Sequence, residues 1–364
     1  MSPITGPSSD FQSATPLSPR ASQFLNQVFQ EGWLDPAKLH HASAKFRNLL
    51  EESKENIAAG LGVAKNELEF VGELGFGFWS AIAGALKGSR DRFVYSAIDR
   101  QIVHAFAREH SANGWATEEL PVSTGGQVDF TSAFKRPDTT VFWQATNRET
   151  GIEQTEIRKS NDGTLIADMT AAFDPKKLPE DWDVAIWDPR NFAGPEGLAI
   201  IAVRDGAKWS SPIPPIGPRR LFGSFSKPLL ILSAIALEDH LLDLETSRSI
   251  LMRNNSFLRD LLKNQIPEVI VVGEENHGDP RFMALVIQDV IGEELLRKME
   301  ARGILVDAGS ACSAGALSPS HVLSAMGYGV DGHIRLTIKR NQSEGELQEL
   351  VRALKEEIAL TKSE

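Results

Sequence analysis

The chain has 364 residues, 41% hydrophobic and 24% charged, which suits a globular protein of about two domains. Its net charge of −11 disfavours a nucleic acid or an anionic membrane as partner, since both need a basic face. A single cysteine excludes an internal disulfide and makes a reducing cytoplasm the expected location.

Residues 1–13 are rich in Ser, Pro, Thr and Gly and read as a disordered arm. Phe46, Leu49, Leu50, Ile57 and Leu61 form a helical stripe between Ser43 and Gly62, and the glycine is placed to end the helix. Glu67 to Val71 reads as a strand, followed by a loop at 72–76. Arg92 to Ser96 is strand-like and Gln101 to His110 helical. Thr139 to Gln144, Thr164 to Asp168, Asp183 to Trp187 and Leu198 to Val203 are short apolar runs bounded by turns. Such runs fit strands buried on both faces of a mostly parallel sheet. With crossover helices they predict an α/β large domain over 14–245, closed by a helix around Leu229 to Thr246.

The remainder, 246–364, predicts a small α+β domain. Glu268 to Val272, Phe282 to Ile287 and His333 to Ile338 read as strands, and Gly292 to Arg302 as a helix. In the last helix Ser343 and Glu346 form a capping box, and Leu347, Leu350, Val351, Leu354 and Ile358 line one face. The longest apolar run, Leu229 to Leu237, stops at Glu238, well short of the roughly 18 residues that span a bilayer. The N-terminus lacks a signal-peptide pattern. The eight histidines have no metal-ligand spacing, so no metal is expected.

The stretch from Val306 to His321 holds the one cysteine, Cys312, among small residues that shield it little: Gly309, Ser310, Ala311, Ser313, Ala314 and Gly315. Ser318 reads as an N-cap and Pro319 as the first residue of a helix carrying Val322, Leu323 and Met326. A thiol on such an arm suggests a sulfur that travels. The alternative is a small buried hydrophobe, the commoner fate of a lone cysteine.

Gly-Ser-Ala-Cys-Ser followed by Leu-Ser-Pro-Ser-His-Val-Leu resembles the active-cysteine loop of the cysteine desulfurases, class V aminotransferases of the fold-type-I pyridoxal phosphate (PLP) group. The resemblance runs from about residue 14, where Ala14 to Arg20 is similar to the family's opening segment, to about 360. It implies the PLP-dependent transferase fold, with a mostly parallel seven-stranded sheet, a homodimer, PLP as cofactor and a small amino acid as substrate. It also assigns roles. Asp168 aligns with the aspartate that pairs with the PLP ring nitrogen and keeps the cofactor an electron sink; a strand-end aspartate capping the next turn is the other reading. Arg335, in Gly-His-Ile-Arg-Leu-Thr-Ile, aligns with the arginine that grips the substrate carboxylate. Ser224 aligns with a residue that reaches the phosphate of the neighbouring subunit. Asn147 and Arg148 fall in the Asn-Asn-Glu-x-Gly motif, with Arg148 in place of the second asparagine. Cys312 aligns with the thiolate that takes sulfur from PLP-bound cysteine as a persulfide.

Several family groups are replaced. The Gly-Pro-Glu-Gly turn ending at Gly197 sets the register and puts Asn191 at the Schiff-base lysine position and Arg190 at the preceding histidine. An amide nitrogen is not nucleophilic and shuttles no proton. The phosphate loop becomes Gly72-Glu73-Leu74-Gly75-Phe76, without its hydroxyl, and Asp188 stands where a serine would donate. Arg100 replaces the ring-stacking histidine, and Ala171 falls near an expected glutamine. Arg100, Arg148 and Arg190 predict either a cleft for an anion other than PLP phosphate or local pairs with Glu73, Asp99, Asp188 and Glu149. Lys227, in Ser-Phe-Ser-Lys, lies much farther along the chain and could serve only from the partner subunit. Three functions follow as alternatives: a degenerate homologue that binds or regulates, an active desulfurase forming L-alanine and a Cys312 persulfide, and a sulfur acceptor using Cys312.

Overall fold

The computed structural model describes residues 9–87, 92–160, 162–214, 221, 225–273, 278–308, 320–329 and 332–361. In chain order these form strand β1 (Ser9–Asp10), helices α1 (Pro19–Glu31) and α2 (His41–Leu61), β2 (Leu68–Val71), α3 (Leu74–Leu86), β3 (Arg92–Ser96), α4 (Gln101–Ala112) and β4 (Thr117–Leu120). Strands β5 (Thr139–Gln144), β6 (Thr164–Asp168), β7 (Val184–Trp187) and β8 (Ala199–Val203) follow, then α5 (Lys227–Leu242) and α6 (Leu244–Gln265). The chain ends with β9 (Val269–Val271), β10 (Phe282–Ile287), α7 (Gly292–Ala301), β11 (Ile304–Leu305), β12 (Asp307–Ala308), α8 (His321–Ala325), β13 (His333–Thr337) and α9 (Glu344–Thr361).

The large sheet runs β2-β8-β7-β6-β5-β3-β4. Its β3–β4, β3–β5, β5–β6 and β6–β7 pairs are parallel, and β8 is antiparallel to both neighbours. Alternate side chains of each strand enter opposite cores, as the strand period requires. Leu165 and Ala167 of β6 join Trp143, Ala185 and Trp187 in one core with residues of α2 and α5. Ile166 joins Phe142 and Ile186 in the other, with Phe78 and Ile82 of α3 and Val103 of α4. Helices on both faces explain why these strands read as unbroken apolar runs.

Helix signals are local and specific. Ser18 caps α1 by accepting from Ala21 N at 3.2 Å, with Pro19 in the first turn. Gly62 ends α2 at φ 73°, where its N–H reaches Ala58 O. At α9 the predicted capping box is formed: Ser343 N donates to Glu346 Oε2 at 2.8 Å and Glu346 N to Ser343 Oγ at 3.3 Å. The five apolar residues of its stripe are all at most 1% exposed, each worth about 1.5–3 kcal/mol of burial. They pack with Met283, Leu285 and Ile287 of β10 against the four-stranded antiparallel sheet β12-β13-β10-β9.

Three expectations change. Residues 9–13 do not belong to a free arm. Ser9–Asp10 pairs with Ile304–Leu305 in parallel, Phe11 N donates to Leu305 O at 2.8 Å, and the Phe11 ring is fully buried. One aromatic side chain entering a core outweighs the polar composition around it. The helix after the cysteine loop begins at His321 and is capped by Ser320, whose side chain accepts from Leu323 N at 3.2 Å. Ser318 and Pro319, expected to open it, lie outside the described residues, as do 1–8. Residues 74–76, expected in a loop, instead open helix α3. It is apolar on nearly every side because it sits inside a core, so it shows no amphipathic period.

Candidate functional site

The site lies at the carboxyl ends of the parallel strands, beside the point between β3 and β5 where onward connections run in opposite directions, from β3 to β4 and from β5 to β6. Open α/β sheets bind ligands at such a switch point. Strand ends and the turns after them supply Asp99 and Arg100 after β3, Asn147 and Arg148 after β5, Asp168 at the end of β6, and Asp188 to Asn191 after β7.

Asp168 is 1% exposed, and its two oxygens are engaged. Oδ1 accepts from Thr170 N at 2.8 Å and Thr170 Oγ1 at 2.6 Å, the turn-capping arrangement of a strand-end aspartate. Oδ2 receives Arg100 Nε at 3.2 Å, while Arg100 Nη2 donates to Thr170 Oγ1 at 2.6 Å. The Arg100 guanidinium also lies 5.5 Å from the Phe78 ring centroid. Arg100 therefore reaches across to Asp168, not to Asp99, its neighbour in sequence.

Asp188 caps the 3-10 turn Pro189–Phe192 by accepting from Arg190 N at 3.0 Å. Arg190 closes back on the same carboxylate, Nε to both oxygens at 3.1 and 3.0 Å and Nη2 to Oδ2 at 2.9 Å. That pairing holds the Arg190 guanidinium above its ordinary pKa. Its Nη1 reaches Glu196 at 3.2 Å. Arg148 approaches Asp188 Oδ2 only to 3.9 Å and donates to Ser13 O at 3.4 Å. Asn147 is 3% exposed and its amide is consumed by its own turn. Its Nδ2 donates to Ile98 O at 3.2 Å and Gln144 Oε1 at 3.1 Å, and its Oδ1 accepts from Glu149 N, Thr150 N and Thr150 Oγ1.

Asn191 is held on both ends of its amide. Nδ2 donates to Ala172 O at 2.6 Å, and Oδ1 accepts from Arg281 Nη1 at 3.0 Å. Arg281 is the residue the sequence reading missed. It also donates to Asn191 O at 3.0 Å and Ala171 O at 2.8 Å, and it chelates Asp279 through Nε and Nη2. A signal existed: Asp279-Pro280-Arg281 repeats Asp188-Pro189-Arg190, and both triplets close the same way, with the arginine N–H and Nε on the aspartate two residues before.

At the start of α3, Glu73 accepts from Gly75 N at 2.8 Å and Phe76 N at 2.9 Å, so a carboxylate occupies the helix N-terminus. A Cβ on Gly75 would come within 2.8 Å of Glu73 Oε2. Arg335, on β13, faces Asp307 Oδ2 at 3.5 Å, and the same oxygen accepts from Ser13 N at 2.8 Å. Ser13 thus links the Arg335–Asp307 pair to Arg148. His321, at the exit of the cysteine loop, donates from Nε2 to Asp99 O at 2.8 Å and stacks edge-on with His104 at 5.3 Å. Ser224 and Cys312 lie outside the described residues. Lys227 begins α5, capped by Ser226. Among the described residues no group of three or more His, Cys, Asp or Glu could hold a metal ion, and no helix is long and apolar enough to cross a membrane.

Asp99 is fully buried, and burial raises its pKa from 3.8 to about 8, with nearby Asp168 adding to the shift. The folded chain therefore holds a proton that the unfolded chain releases between these values, and stability falls as pH rises through that window. Asp99→Asn is expected to remove this slope. Between about pH 5 and about pH 8 the wild type should lose stability relative to the variant. The lowered pKa values of His104 and His240, caused by burial, act with the opposite sign in both proteins and cancel in the comparison. Equal slopes would contradict the buried neutral carboxyl.

Comparison with known proteins gives a consistent result. No protein-family model matches the chain. It is 24% identical over 349 residues to a protein named cysteine desulfurase IscS from Dictyoglomus turgidum, covering 90% of this chain and 88% of that one. It is 26% identical over 360 residues to a cysteine desulfurase IscS from Methanosarcina thermophila, covering 92% and 88%. A solved NifS-like protein superposes with a TM-score of 0.84 at 20% identity, over 97% of this chain and 99% of that one. The chain thus has the fold of the NifS-like PLP-dependent transferases and resembles the cysteine desulfurases along nearly its whole length.

Proposed function

We propose that this protein is a cysteine-desulfurase-like pseudoenzyme, a homologue that acts by binding or regulation without PLP chemistry. The observation that carries the reading is Asn191. The resemblance aligns it with the Schiff-base lysine, and its amide is tied to Ala172 O and to Arg281. A carboxamide has no free electron pair on nitrogen with which to attack an aldehyde.

The residues present do not fit the cofactor. Arg100 already delivers to Asp168 the positive charge that a pyridinium nitrogen would bring. Glu73 holds the two N–H groups at the start of α3 that would otherwise turn toward a phosphate, and Asp188 adds a second carboxylate. No reaction step is therefore routed through PLP. By the resemblance and the single cysteine, the protein is a cytoplasmic homodimer with a large unit over 14–245 and a smaller one beyond it.

The test is sulfide release. Purified protein with L-cysteine, PLP and a reductant should liberate no more sulfide than the same mixture without protein. Sulfide and L-alanine formed above that background, and abolished by Cys312→Ser, would establish an active desulfurase instead.

A further inference from the structure

The arginines of the cleft are not equally well paired. Arg100 has Asp168, Arg190 has Asp188 and Glu196, and Arg281 has Asp279, each within 3.2 Å. Arg148 has no carboxylate that close among the described residues. Asp188, its nearest at 3.9 Å, is already chelated by Arg190, and the contact with Ser13 O is long at 3.4 Å. Arg148 is thus the weakly paired one of the four guanidinium groups.

Arg148 and Arg190 line an open cavity of about 380 Å³ together with Ser13, Thr15, Gly194 and Glu196. That volume is within the range of small-molecule sites. We propose that this cavity binds a small monocarboxylate, with the Arg148 guanidinium as its principal contact and Arg190 as its second. A planar fork of N–H donors matches the two oxygens of a carboxylate. One weakly paired guanidinium favours a monoanion. A dianionic phosphate would bring a second negative charge toward the carboxylates of Asp188 and Glu196.

The electrostatics of the free site agree. Burial, and after it the charge of Arg100, pulls the Arg148 guanidinium down to about 10, with Arg190 and Arg281 contributing and Asp188 opposing. A bound carboxylate would relieve that repulsion. The inference rests on the reading above only in requiring that PLP does not fill the cleft.

The experiment is titration calorimetry on the full chain with acetate and with lactate, in a buffer free of other carboxylates. Inorganic phosphate and PLP form separate arms. One saturable site is expected for the monocarboxylates, with weaker binding of phosphate. Arg148→Met should lose about tenfold or more in affinity, as expected for a lost charge-assisted contact. Arg148→Lys, which keeps the charge but not the fork, should lose less. Thr15→Trp, which puts a bulky ring into the lining and leaves both arginine side chains unchanged, should also abolish binding. It serves if the Arg148 variants do not fold.

Absence of a saturable signal from either carboxylate, unchanged affinity in Arg148→Met or Thr15→Trp, or tighter binding of phosphate would overturn the proposal. Tight binding of PLP that leaves carboxylate affinity unchanged would count against the pseudoenzyme reading alone. Displacement of carboxylate by PLP would overturn both.

Discussion

Replacing Arg281 by methionine is expected to destabilise the protein by about 3–5 kcal/mol, the usual cost of removing one partner from a buried ion pair. The Asp279 side chain is 0% exposed and that of Arg281 13%, so water cannot take over the lost contacts. The variant would leave Asp279 with the Arg281 backbone N–H as its remaining described donor, and would free Asn191 O, Asn191 Oδ1 and Ala171 O at the same time. It would also remove a cation from between the Phe173 and Phe282 rings, at 5.1 and 4.9 Å. The double variant Asp279→Asn with Arg281→Met should recover part of the loss, because the unpaired charge is then gone. Denaturant unfolding measures both. A loss below about 1 kcal/mol in the single variant, the scale of an exposed pair, would show that the pair is not buried in solution.

Restoring the missing amine alone is expected to restore nothing. Asn191→Lys would place an ammonium against Arg281 Nη1, which now donates to the Asn191 oxygen, so a hydrogen bond becomes a like-charge contact. The Glu73 carboxylate would still occupy the start of α3, and Arg100 would still cover Asp168. A phosphate charge held about 4 Å from a carboxylate at an effective dielectric of about 20 is opposed by about 4 kcal/mol, about a thousandfold in affinity. The single variant should therefore form no stable pyridoxyl adduct. Asn191→Lys combined with Glu73→Thr and Arg100→His should be the first to form one. Capture of PLP by the single variant would show that the cleft is less obstructed than its side chains indicate.

The sequence made the sheet legible because its strands are buried on both faces and bounded by turns, and it made α9 legible because its capping box and stripe agree. Helix α3 was hidden for the opposite reason: it is apolar all round, which removes the period that marks a surface helix. At the site, neighbours in sequence were a poor guide to partners in space. Arg100 passes over the adjacent Asp99 to reach Asp168, because Asp99 is turned inward to cap the β3 turn through Ser96 N. Arg190 does pair with Asp188, since an Asp-Pro-Arg turn folds the side chain back on itself. Arg281 was missed although it repeats that triplet, because its position in the fold comes from the strand after it and not from any motif of the large unit. Ser13, discounted as part of a disordered arm, joins Asp307 to Arg148 and forms one wall of the proposed carboxylate cavity.

The central claim, that no amine in this cleft captures an aldehyde, is tested most directly on the wild-type protein. The chain is incubated with PLP, reduced with borohydride, digested and mapped by mass spectrometry. The account predicts no pyridoxyl-modified residue lining the cleft. A stoichiometric pyridoxyl group on any residue there, Lys227 contributed by a second copy included, would contradict it.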